Sequence, residues 1–77
     1  MHIERLVKMA NDIGDFFKSE PNREDAVRGI AQHIQRFWEP RMREQILEYR
    51  EKGGGDLDEI VREALGCVTD PKPRSAA

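Results

Sequence analysis

The chain has 77 residues, 13 of them Lys or Arg and 15 Asp or Glu, giving a formal net charge of −2. That length allows one small domain, the single cysteine excludes an internal disulfide framework, and the balanced charge argues against general nucleic-acid binding. No run approaches the roughly 18 apolar residues of a membrane span, and the mixed start Met1-His2-Ile3-Glu4-Arg5 is expected not to be a signal peptide.

The first helical pattern covers about Ile3 to Phe17. Ile3, Leu6, Val7, Ala10, Ile13 and Phe17 fall within an arc of about 120°. Gly14 lies in the same arc. A mid-helix glycine costs roughly 1 kcal/mol relative to alanine, so its expected use is close approach of another helix. Met9 and Phe16 sit beside the stripe and widen it. Ser19-Glu20-Pro21-Asn22 breaks the pattern, and Asn22 is a good N-cap with Glu24 and Asp25 in the following turn.

The second helix is predicted from about Arg23 to Trp38. Ala26, Val27, Ile30, Ala31, Ile34, Phe37 and Trp38 occupy an arc of about 140°. Trp38 lies at one margin of it, a place for a half-buried indole, and His33 borders the other. Glu39 precedes Pro40 and is pushed away from helical angles. Pro40 suits the first position of a new helix, so a sharp corner is expected there.

The third helix is predicted from about Pro40 to Lys52. Met42, Ile46 and Tyr49 form a narrow stripe, Leu47 stands off it, and Arg43 and Arg50 project between Ile46 and Leu47 one heptad apart. Gly53-Gly54-Gly55 ends it, because glycine accepts the left-handed conformation at a helix C-terminus. Asp56 followed by Glu59 reads as a capping-box-like start of a fourth helix, about Leu57 to Leu65, stopped by Gly66. The expected fold is all-α: a small compact bundle of four short helices over residues 1–66, with a flexible tail over 67–77.

Most chemistry fails for want of spacing. His2, His33 and Cys67 form no metal-ligand set. Cys67 beside a helix end and a tail would not hold a catalytic geometry with His33. The triple glycine lacks a following Gly-Lys-Ser/Thr and a preceding strand, so it is no phosphate cradle. The expected catalytic, cofactor-binding and metal-binding residues are therefore none.

The charge is unevenly spread. Residues 32–43 hold Arg36, Arg41 and Arg43 against Glu39, a local balance of +2, and residues 44–66 carry −4. The basic stretch also holds His33, the only tryptophan and the corner proline. Arginine and tryptophan are the residues most enriched at binding hot spots. His33, Arg36, Trp38, Arg41 and Arg43 are the candidate partner contacts. Phe37 and Pro40 set their geometry. Met9, Phe16 and Leu47 offer further apolar surface, which leaves a homodimer open for the isolated chain.

The chain resembles the delta subunit of the cytoplasmic, NAD-dependent formate dehydrogenase complex. The matching residues are Leu6-Val7-Lys8-Met9-Ala10-Asn11-Asp12-Ile13-Gly14-Asp15-Phe16-Phe17 and Gly29-Ile30-Ala31-Gln32-His33-Ile34-Gln35-Arg36-Phe37-Trp38-Glu39-Pro40-Arg41-Met42-Arg43. Gly54-Gly55 with Leu57, Val61, Ala64 and Leu65 extends the match to about residues 5–66. The chain departs from the pattern in a third loop glycine and in its tail. The resemblance implies a cytoplasmic accessory subunit without a cofactor of its own. It would dock on the large alpha subunit, which oxidises formate and carries a molybdenum or tungsten pterin and iron–sulfur clusters, and support assembly, cofactor loading or stability. No nucleic acid or membrane partner is implied. The competing reading is a small helix-turn-helix regulator, because helices two and three flank a tight corner. Against it, Glu44, Glu48 and Glu51 on the third helix would face a polyanion badly.

Overall fold

The computed structural model describes residues 2–69, which form four α-helices and no strand: α1 (Ile3–Phe17), α2 (Arg23–Phe37), α3 (Pro40–Glu51) and α4 (Glu59–Leu65). The Asn22 side chain accepts from the Asp25 N–H at 3.2 Å, which satisfies one of the free donors at the start of α2. Trp38 and Glu39 are both extended, with ψ of 139° and 153°, so α2 and α3 are separate helices around a corner. α2 ends at Phe37, one residue before the predicted limit, and Trp38 caps it.

The glycine stop after α3 is a Schellman motif. Gly53 N–H donates to the Arg50 carbonyl and Gly54 N–H to the Tyr49 carbonyl, both at 3.1 Å. Both glycines have positive φ, 123° and 56°, which other residues adopt only with strain.

The fourth helix starts two residues later than predicted, at Glu59, with Asp58 extended before it and no side-chain cap. The reason is tertiary. Asn11 on α1 donates to the Asp56 carbonyl and accepts from the Asp58 N–H, each at 2.9 Å. The Asp56 N–H donates to the Tyr49 hydroxyl at 3.2 Å. The Tyr49 hydroxyl thus takes the Asp56 N–H that Glu59 would have reached in a capping box, and Asn11 holds the backbone on either side of Leu57. Leu57 stays outside the helix yet is buried.

Leu6, Ile30, Ile34, Ile46, Val61 and Leu65 form the centre of the core. Burying each such side chain contributes about 1.5–3 kcal/mol. Gly14 lies against α4: a Cβ there would stand 2.5 Å from Val61 Cγ2. Leu47, expected on the surface, is buried. The correction follows from α3's place, packed on both α1 and α4, so its second apolar flank is covered too. Met9 packs partly against the core, while Phe16 stays 76% exposed.

Packing continues past Gly66, where the tail was expected to begin. Cys67 and Val68 donate to the Ala64 and Leu65 carbonyls, Val68 is buried, and the Thr69 N–H donates to Gln35 Oε1 at 2.7 Å. The expected flexibility of residues 70–77 falls outside the described residues. Lys18 after α1 meets Asp15 at 2.8 Å and Asp58 at 3.6 Å. Its hydrogen bond to Asp15, then the charges of Asp15 and Asp58, raise its pKa above the ordinary 10.5.

Candidate functional site

The α2–α3 corner divides the predicted contact residues into an inner and an outer set. Trp38 is only 5% exposed and belongs to the core, whereas Phe37 is 70% exposed. This corrects both expectations, a half-buried indole and a phenylalanine on the apolar arc. The extended backbone at Trp38 leaves the helical path, so the helical arc no longer predicts where that ring points. Its larger apolar surface takes the inward position.

Arg43 is also held inside the corner. Its Nη1 donates to the Trp38 carbonyl at 2.9 Å and more weakly to the Gln35 carbonyl at 3.5 Å. The guanidinium thus satisfies carbonyls that the end of α2 leaves free. Its Nε is buried and has no hydrogen-bond partner among the described residues. Arg50, one heptad on, does the same for α4: its Nε donates to the Arg62 carbonyl at 2.8 Å. The two arginines that break the stripe of α3 are therefore ties to the ends of its neighbours.

His33, Arg36, Phe37 and Arg41 form the outer set, all exposed, with Pro40 exposed at the turn between them. The His33 and Phe37 rings are tilted on one another with centroids 4.9 Å apart. Arg36 and Arg41 have no ion-pair or hydrogen-bond partner among the described residues. An exposed aromatic ring on a corner that also exposes two arginines suits recognition of a protein surface with carboxylates.

Gly29, His33 and Phe37 share one row of α2, spaced by four residues. A Cβ at Gly29 would come within 2.5 Å of the Phe17 ring, so the glycine makes room for that ring. Phe16 meets Phe17 edge-on at 5.1 Å. Phe17 of α1 and the His33–Phe37 pair thus adjoin the same row of α2. Sequence reading gave Gly29 no role, nor Asn11 and Gln35, whose partners lie 45, 47 and 34 residues away. Arg43 and Arg50 did leave a signal, in their heptad spacing beside apolar residues.

Among the described residues, no three His, Cys, Asp or Glu side chains group as a metal site. No helix there is long and apolar enough to cross a membrane.

Fold and surface together define a small helical domain whose α2–α3 corner exposes an aromatic ring and two arginines. Residues 5–65 match the family of the NADH-dependent formate dehydrogenase delta subunit, FdsD. The chain belongs to that family, and its partners are in a formate dehydrogenase complex. No curated protein and no solved structure matches it.

Proposed function

We propose that this chain is a non-catalytic, cytoplasmic accessory subunit that docks on the catalytic alpha subunit of its formate dehydrogenase. Docking supports assembly, cofactor loading or stability of the complex. The observation that carries the reading is the exposed Phe37, resting on His33, at a corner that also exposes Arg36 and Arg41, neither with a partner among the described residues. Phe37 supplies apolar contact area, and the guanidinium forks take carboxylates or carbonyls of the partner. Trp38 and Arg43 act from inside by fixing the corner. Oxidation of formate belongs to the larger subunits.

The double variant Arg36→Glu, Arg41→Glu tests the reading. The free domain keeps its helical circular dichroism, because both side chains are exposed, and co-purification with the complex falls. Full co-purification with unchanged formate–NAD activity overturns the docking face. The wild-type chain alone gives no turnover of formate with NAD.

A further inference from the structure

A shallow groove of about 410 Å³ runs along the flank of α2 away from Phe37, between that helix and the end of α4. Val27 and Ala31 form its floor, and Glu63 and Cys67 stand on the far wall. Two of its charges are already engaged within the domain: Arg28 lies 3.7 Å from Asp25, and Glu63 is 2.9 Å from Arg23. Two are not. Arg36, at the C-terminal end of α2, and Glu24, at its N-terminal end, have no partner among the described residues. They are 12 residues apart, or about 18 Å along a helix.

We infer that this groove receives an amphipathic helix of the partner subunit, lying antiparallel to α2. Apolar side chains of that helix fill the floor, the mode by which helices bind in grooves. The free charges set its direction. A carboxylate must meet Arg36 and a cation must meet Glu24. Helices carry acidic residues best near the N-terminus and basic ones near the C-terminus, so the occupant's N-terminus lies at the Arg36 end. The inference rests on docking at the α2–α3 corner and names the partner element that extends it through Arg36.

Cys67 is the chain's one cysteine, exposed on the groove wall, and reports occupancy directly. The probe is N-ethylmaleimide, with alkylation of this chain read by mass spectrometry, free and in the purified complex. Alkylation is expected to slow about tenfold or more on assembly. Glu24→Lys, which lies outside the corner, is expected to weaken association by about tenfold. Both results together support the groove. Equal alkylation rates, or protection without an effect of Glu24→Lys, overturn it. Protection already present in the free chain also overturns it: if independent of concentration it points to residues 70–77, and if concentration-dependent to a second copy. In each of these cases, loss of co-purification in Arg36→Glu, Arg41→Glu leaves the corner reading standing. Failure of the wild-type chain to co-purify overturns both.

Discussion

Trp38 and Phe37 differ so much in burial, 5% against 70% exposed, that mutation separates their roles. Trp38→Ala empties part of the core and is expected to cost about 3–5 kcal/mol. Phe37→Ala stays within about 0.5 kcal/mol of wild type and lowers association instead. Urea denaturation followed by circular dichroism reads the first, and co-purification the second. Equal loss of stability in both variants would place Phe37 in the core after all. Gly14 gives a second test at this scale. Alanine there gains about 1 kcal/mol of helix propensity, but its Cβ meets the fully buried, β-branched Val61 at 2.5 Å. Overpacking costs about 1–3 kcal/mol, so Gly14→Ala is expected to be less stable in thermal melts. Gly55→Ala has open space and serves as the control. A Gly14→Ala protein more stable than wild type would show that α1 and α4 separate at little cost. Gly14 was legible because it interrupts an apolar stripe. Gly29 was not, because it lies outside the apolar arc of α2, so the spacing gives no sign that the Phe17 ring fits there.

At the level of elements, periodicity placed α1 and α2 well, since each has a broad apolar arc that packing follows. The failures sit where a side chain from elsewhere decides. Asn11 shifts the start of α4, and Gln35 holds Thr69 beyond the expected domain end. α4 has seven residues, too few to persist as an isolated helix, so it depends on such ties. Arg50 is the strongest of them at its C-terminal end. Arg50→Met keeps most of the stem's apolar cover and removes a charged hydrogen bond to the Arg62 carbonyl. Bonds of that kind contribute about 1.5–3 kcal/mol. Amide hydrogen exchange should then quicken first over α4 and residues 66–69, with α1 and α2 little changed. The paired variant Arg43→Met should quicken exchange at the end of α2 instead. Uniform acceleration across the chain in either variant would mean that the bundle opens as one unit and that these ties have no local role.

The whole molecule is small enough for its stability to be tied to its partner. Domains hold roughly 0.05–0.15 kcal/mol per residue, so a chain of this length has about 4–12 kcal/mol in all. A partner that binds only the folded state adds about 2.7 kcal/mol at 100 times its Kd. In a domain of this size each kcal/mol moves Tm by about 4–8 °C, so assembly should raise the unfolding temperature of this chain by about 10–20 °C. Pulse proteolysis of the free and the assembled chain over a temperature series measures this, because only the unfolded form is cut. The size of the rise also weighs the homodimer. Leu47 is buried and Met9 partly covered, so of the three residues that favoured self-association only Phe16 stays exposed. Phe16 by itself is far below the roughly 1,000 Å² that a specific interface needs, and the other exposed apolar surface, at Phe37 and in the α2 groove, is assigned above to the partner. The isolated chain is therefore expected to be monomeric at micromolar concentration by light scattering, with a Tm independent of its own concentration. A Tm that climbs with dilute-to-concentrated chain alone would mean that copies of this chain cover the surface assigned to the catalytic subunit.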